Sequence, residues 1–132
     1  MPSLTTVLFP APTLRRQSAE LFRWWESRRL TYNVIVGGAG LVTLSAFELL
    51  IRIPYHLHEP FPWPAVMAYG LAANVCYSFG WILEAAAQHW LRRDTYGLGP
   101  ALWRYGLVYS VGLTLTPIAV AVVGFAAWLL RM

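Results

Sequence analysis

Three long apolar stretches limit what this sequence can fold into more than any other feature. They run from about Thr31 to Ile53, from about Trp63 to Trp90, and from about Trp103 to Leu130. A helix that crosses the hydrocarbon core of a bilayer needs about 20 mostly apolar residues, and each stretch is long enough. Charged residues make up only 12% of the chain, about half the share of an average soluble domain. The sequence therefore predicts an all-α membrane protein with three transmembrane helices.

Two short connections separate these stretches. The first, Pro54 to Pro62, is rich in proline, and the second, Leu91 to Pro100, contains arginine, glycine and proline. Proline ends one helix and is well tolerated in the first turn of the next. Because both connections are short, neighbouring helices must run in opposite directions, which predicts an antiparallel three-helix bundle.

The segment before the first stretch has a different pattern. Between Thr13 and Arg29, apolar residues recur at helical spacing while arginine and glutamate occupy the other faces. Tryptophan and arginine on such a helix suit the headgroup region of a membrane. We therefore predict an N-terminal segment of residues 1–30 with an amphipathic interfacial helix, followed by a transmembrane domain of residues 31–132. The alternative is a helix that packs on a soluble partner domain.

The basic residues predict the orientation of the chain. All ten are arginine, and eight of them lie before the first stretch or around the second connection. The other two are Arg52 and Arg131. Cytoplasmic loops are enriched in arginine, so we expect a bacterial inner membrane protein with a cytoplasmic N-terminus and an external C-terminus. Anionic lipid headgroups, rather than nucleic acid, are the partners expected for a net charge of only +4.

Five residues of the N-terminal segment are the expected contacts with lipid or with a partner. They are Arg15, Arg16, Arg23, Trp24 and Trp25.

Small residues recur along each apolar stretch. Lipid provides no hydrophobic drive for helices to associate, so close packing depends on small residues and buried hydrogen bonds. The predicted helix-packing residues are Gly37, Ala72, Cys76, Gly80, Gly106, Ser110 and Gly124. The second stretch has a further face with Gly70, Asn74, Tyr77 and Trp81, which predicts a homo-oligomer or a complex with another membrane subunit.

Polar side chains inside the stretches are the candidates for a functional site. They are Glu48, Glu84, Asn74 and Gln88. A charged residue at the bilayer centre is costly, so an intramembrane carboxylate is a functional hypothesis by default. The two glutamates lie at different depths, which argues against a paired-carboxylate site.

Each glutamate also has a structural interpretation. Glu48 can pair with Arg52 one turn later, or accept a hydrogen bond from Asn74 at a similar depth; the alternative is an ion or proton path. For Glu84 we expect structural anchoring by groups within reach, against the same functional alternative. Those groups are Gln88, His89, Arg28, Arg29, Tyr109 and Ser110.

Metal, cofactor and catalytic sites are not predicted. His56, His58 and Glu59 are too few for a defined metal site and lie in a proline-flanked turn. The single cysteine, Cys76, excludes a disulfide framework and a cysteine zinc site. His89 lacks a second deep histidine for haem, and no catalytic motif is present. We therefore expect a protein without cofactor or enzymatic activity.

Three functions are compatible with these features. The first is a non-enzymatic oligomeric or partner-bound membrane subunit, or scaffold. The second is an oligomeric ion pore or small transporter that uses Glu48, Glu84, Asn74 and the threonines near Thr114. The third is the anchor subunit of a respiratory enzyme, which rests on architecture alone.

Two segments have a distinctive composition to which no activity can be attached. They are R-R-x-x-Y-N at Arg28 to Asn33 and N-x-C-Y-x-x-G-W-x-x-E at Asn74 to Glu84.

Overall fold

The computed structural model describes residues 5, 8, 18–52, 54–56, 60–91 and 97–131, and nearly all of these residues are helical. Helix α1 spans Ser18–Phe47 and continues as a π-helical turn, Glu48–Arg52. Helix α2 spans Trp63–Leu91, and helix α3 spans Leu98–Leu129. All three are long and apolar enough to cross a membrane, which confirms the predicted class of protein.

Two helix boundaries differ from the prediction. The sequence predicts a boundary near Leu30 between an interfacial helix and the first span. Helix α1 instead runs through Leu30 without a break, because no proline or glycine interrupts the chain there. Helix α3 begins at Leu98 rather than near Trp103. Pro100 lies in its first turn, where the missing N–H has no intrahelical partner to lose. Thr13, the predicted start of the interfacial helix, lies outside the described residues.

Hydrogen bonds between the helices give their relative register. Along α1 and α2, Trp25 bonds to Glu84, Arg29 to Ser78, and Asn33 to Asn74. The residue numbers rise along α1 as they fall along α2, so these two helices run in opposite directions in the described chain.

Contacts between α1 and α3 rise in residue number along both helices. Tyr32 of α1 meets Ser110, and further along α1 the Thr43 hydroxyl donates to the Thr114 carbonyl at 2.7 Å. Pro117 removes a backbone donor from the middle of α3. The carbonyl that loses this donor is that of Leu113, four residues earlier, whereas the Thr43 hydroxyl bonds to the next carbonyl, that of Thr114.

The buried interior is small and mostly aromatic. The buried hydrophobic side chains that cluster there are Leu21, Trp25, Tyr32, Val36, Tyr77, Trp103 and Leu107. Large apolar side chains elsewhere on the helices are exposed, including Leu30, Met67, Val108 and Leu130. An apolar exterior around a small interior is expected of helices that face lipid.

Candidate functional site

A buried glutamate lies at the meeting point of the three helices. Glu84 of α2 is 4% exposed, and its Oε2 accepts a 2.8 Å hydrogen bond from the Trp25 indole N–H of α1. Gly99, in the first turn of α3, approaches the same carboxylate so closely that a Cβ there would overlap it. We call Trp25, Glu84 and Gly99 the Glu84 junction.

The position of Trp25 depends on a second glycine. A Cβ on Gly80 of α2 would overlap the Trp25 indole ring, so only glycine leaves room for it. The Tyr77 ring lies edge-on to Trp25 at 5.4 Å between centroids, and its hydroxyl donates to the Trp25 carbonyl at 2.6 Å. Trp25 is therefore fixed at its ring and at its backbone by α2.

These contacts differ from what the sequence predicts for both residues. Trp25, an expected contact with lipid or a partner, is only 2% exposed because Gly80 and Tyr77 enclose it. For Glu84 we expected neighbours such as Ser110, but Ser110 bonds to Tyr32 instead. The reason is the earlier start of α3, which brings Gly99 rather than Ser110 level with Glu84.

Arg29, a further expected neighbour of Glu84, has other partners. Its guanidinium pairs with Glu26 at 2.7 Å and donates to Ser78 at 3.1 Å. Gln88 is half-buried and His89 is exposed.

A second tyrosine joins all three helices. The Tyr32 hydroxyl of α1 lies 2.9 Å from the Ser110 hydroxyl of α3 and donates to the Ala73 carbonyl of α2 at 3.3 Å. Its ring contacts the Tyr77 ring at 4.7 Å between centroids. Together with the Glu84 junction it gives two polar contacts that connect the helices.

The other intramembrane carboxylate has a local partner. Glu48 Oε1 lies 2.7 Å from Arg52 Nη1, one turn further along the π-helical segment. This is the pair that the four-residue spacing predicts. The alternative hydrogen bond from Asn74 is not formed, because Asn74 lies level with Asn33 of α1.

Two asparagines and two glycines form a patch on the outside of α1 and α2. Asn33 Nδ2 donates to Asn74 Oδ1 at 3.2 Å, and Asn74 Nδ2 donates to the Gly70 carbonyl at 3.0 Å. Gly37 and Gly70 lie one turn from these asparagines, and a Cβ on either would meet no atom within 4 Å. We call Asn33, Gly37, Gly70 and Asn74 the amide patch.

The predicted helix-packing residues divide into two groups. Gly80, Ser110 and Gly124 lie at contacts between helices, where Gly124 meets Ile51. The others, Gly37, Ala72, Cys76 and Gly106, are exposed in the single chain. Packing of this second group against another chain stays a prediction.

Among the expected lipid contacts, Arg23 is exposed, and the Arg28 guanidinium lies 4.0 Å from the centre of the half-buried Trp24 ring. Arg15 and Arg16 lie outside the described residues, as do His58 and Glu59 of the histidine cluster. Within the described ranges, no three His, Cys, Asp or Glu side chains are grouped to hold a metal ion.

Among the cavities between the described helices, two are lined by residues of the polar contacts above. One, of about 190 Å³, is lined on its inner side by Trp25, Tyr32, Tyr77 and Trp103. The other, of about 310 Å³, lies where Thr43 and Phe47 of α1 face Tyr69 and Pro117. Its polar groups already bond to one another, since Tyr69 meets the Thr114 hydroxyl and Thr43 the Thr114 carbonyl.

Sequence reasoning missed Trp25, Tyr32 and Trp103 as interior residues. A signal for one of them, Tyr32, is present in the two distinctive segments. Arg28 to Asn33 and Asn74 to Glu84 contact each other directly, through Asn33 with Asn74, Tyr32 with Tyr77 and Arg29 with Ser78. Their unusual composition thus belongs to one helix interface.

No protein-family model matches this chain, and neither the curated proteins nor the solved structures contain a match to it. The chemistry of the site must therefore be inferred from its own residues. Indole, hydroxyl and amide groups hold the helices together and offer hydrogen bonds within an apolar setting.

Proposed function

We propose that this chain is a small non-enzymatic membrane subunit that functions as an oligomer or within a larger membrane complex. The observation that carries the proposal is the amide patch, where polar groups and unfilled space occur together on an outer helix surface. Helix interfaces in membranes combine these two properties, because glycine allows close approach and amides hydrogen-bond across the interface.

The chemistry of the patch favours a second copy of the same chain. A carboxamide has two N–H donors and an acceptor oxygen, and the bonds described above use one N–H of each asparagine. Each amide thus retains a donor for a neighbouring chain. Because an amide both donates and accepts, two patches related by a twofold axis complement each other.

The remaining features of the proposal concern placement in the membrane. We propose an antiparallel bundle in a bacterial inner membrane, with a cytoplasmic N-terminus and an external C-terminus. Helix α1 has 30 residues, or about 45 Å at a rise of 1.5 Å per residue, which exceeds the hydrocarbon core of about 30 Å. Its first turns, with Arg23 and Trp24, would then lie at the cytoplasmic headgroups as the interfacial part of the helix.

The arrangement of polar groups gives less support to a pore. Glu84 bonds to Trp25, Glu48 pairs with Arg52, and Asn74 bonds to Asn33. Each of these three groups already bonds within the chain, which leaves it less available to line a path between copies.

Light scattering of the protein in detergent, across a range of protein concentrations, tests self-association. We expect a dimer or higher oligomer for the wild type and a shift towards monomer for Gly70→Leu and for Asn33→Leu combined with Asn74→Leu. Gly112→Leu is the matched control, because Gly112 is also exposed with no atom within 4 Å of a Cβ. The same molecular mass for Gly70→Leu and wild type would contradict a role of the amide patch.

Recovery of partners from native membranes tests the second form of the proposal. A partner subunit that binds the amide patch should be recovered with wild type and with Gly112→Leu, and lost with Gly70→Leu. A monomeric wild type whose partners are unaffected by Gly70→Leu would refute the proposed function.

A further inference from the structure

Helix α2 stands apart from the other two helices over its first half. Its buried residues, Tyr77 and Glu84, lie in its second half, whereas none of residues 63–72 is buried. Helices α1 and α3 stay in contact at that level, where the Thr43 hydroxyl bonds to the Thr114 carbonyl. The larger cavity described above lies in the gap that this arrangement leaves.

This cavity is a groove whose hydroxyl groups are all bonded within the chain. It is lined by residues within 40–47 of α1, 62–69 at the start of α2 and 113–117 of α3, and we call it the Tyr69 groove. The Thr114 hydroxyl donates to the Ser110 carbonyl at 2.6 Å, so it accepts the proton of the Tyr69 hydroxyl. The Thr43 hydroxyl donates to the Thr114 carbonyl. These walls therefore favour a hydrocarbon occupant over one that needs hydrogen bonds.

The dimensions of the Tyr69 groove suit a single hydrocarbon chain. Its volume is about 310 Å³, roughly twice that of a cavity of about 150 Å³ that holds the six carbons of benzene. Between Pro62 and Tyr69 it extends for about 10 Å at a rise of 1.5 Å per residue. One leaflet of the hydrocarbon core is about 15 Å thick, so a chain of about a dozen carbons fits along the groove.

The edges of the groove are open to the surroundings of the helices. Phe47, Ala65, Leu113 and Pro117 line it and are exposed, and the helices that carry them are long and apolar enough to cross a membrane. An empty groove would leave its walls without dispersion contacts. A lipid chain restores these contacts and breaks no hydrogen bond.

We propose that the Tyr69 groove holds one acyl chain of a membrane phospholipid, which stays bound to the protein as part of its structure. Because the groove contacts only the chain, phospholipids with the same chains and different headgroups bind equally well. The proposal is independent of self-association, since the groove and the amide patch share no residue.

Native mass spectrometry of the purified protein tests the proposal. The detergent micelles are supplied with dioleoyl phosphatidylglycerol or with dioleoyl phosphatidylcholine, which have the same acyl chains but an anionic and a zwitterionic headgroup. We expect one retained phospholipid per protein chain with either lipid.

Two variants fill the groove, and each has a matched control. Ala65→Trp places a large ring in the groove, whereas Ala68→Trp adds the same ring at an exposed alanine of α2 outside it. Gly40→Leu adds a side chain whose Cβ meets only the Thr114 methyl group, at 3.9 Å. Its control is Gly38→Leu, because Gly38 is exposed and a Cβ there would meet no atom within 4 Å. We expect Ala65→Trp and Gly40→Leu to lose the retained phospholipid and both controls to keep it. Circular dichroism and gel filtration verify that all four variants fold.

Four results would overturn the proposal. The first is a wild-type protein that retains no phospholipid. The second is retention of phosphatidylglycerol alone, as expected if arginine side chains hold the headgroup. The third is retention that neither Ala65→Trp nor Gly40→Leu changes. The fourth is conversion of an oligomer to a monomer by Ala65→Trp, as expected if a neighbouring protein chain fills the groove.

Discussion

The residues of the Glu84 junction contact one another although they are far apart in the sequence. Glu84 and Trp25 are 59 positions apart, so no local pattern indicates the pair. By contrast, the Glu48 and Arg52 pair follows from a four-residue spacing and was predictable. The sequence shows that an intramembrane carboxylate needs a partner, but the identity of a distant partner depends on packing.

Removal of the indole donor should destabilise the fold. Trp25→Phe leaves Glu84 without its hydrogen bond and leaves part of the indole space empty. We expect a loss of about 1 to 3 kcal/mol in the free energy of unfolding, measured by titration with a denaturing detergent. Trp90→Phe, at an exposed tryptophan, should change it by less than about 0.5 kcal/mol. Equal stability of the two variants would contradict the role of Trp25.

A double-mutant cycle separates the hydrogen bond from the lost volume. Glu84→Leu removes the carboxylate that Trp25→Phe leaves unpaired, so the two losses should not add. We expect the double variant to be more stable than the sum of the single losses predicts, by about 1 kcal/mol. Strict additivity would show that Trp25 contributes only by packing.

At the scale of the helices, the number and approximate positions of the spans were predictable from the sequence, but their register was not. Prolines around residues 54–64 correctly separate α1 from α2. The sequence predicts a later start of α3 than the structure has, because Gly97, Gly99 and Pro100 are typical of a loop. Gly97, with φ of 77°, does precede the helix. Gly99 lies within the first turn of the helix, and the residue there is glycine because the Glu84 carboxylate occupies the space that a side chain would need.

Close approach of α1 and α2 depends on one glycine. Gly80→Ala should cost about 1 to 3 kcal/mol of unfolding free energy, because its methyl group would overlap the enclosed Trp25 ring. Gly112→Ala should be neutral or slightly stabilising, since alanine favours the helix and nothing obstructs it. The same detergent titration checks both, and a neutral Gly80→Ala would show that α1 and α2 can separate without penalty.

For the whole molecule, the distribution of arginine predicts an orientation that accessible cysteines can measure. In a Cys76→Ala background, Pro60→Cys and Arg131→Cys should react with a membrane-impermeant maleimide in intact cells. Ser27→Cys should react only after the membrane is opened. Pro60, Arg131 and Ser27 are all exposed, so labelling depends on the side of the membrane. Labelling of Ser27→Cys alone in intact cells would reverse the proposed orientation.

The enclosed carboxylate also bears on how the chain enters the membrane. A charged side chain opposes the insertion of a helix into the membrane, by about 2.5 to 3.5 kcal/mol at the helix centre, and Glu84, two turns from the end of α2, opposes it by less. Glu84 lies on α2, while the indole that bonds to it comes from α1 and the glycine that encloses it comes from α3. Helix α2 is therefore poorly suited to leave the translocon alone. We expect α1 to stay beside α2 at the translocon until α3 has emerged, so that the three helices enter the lipid together.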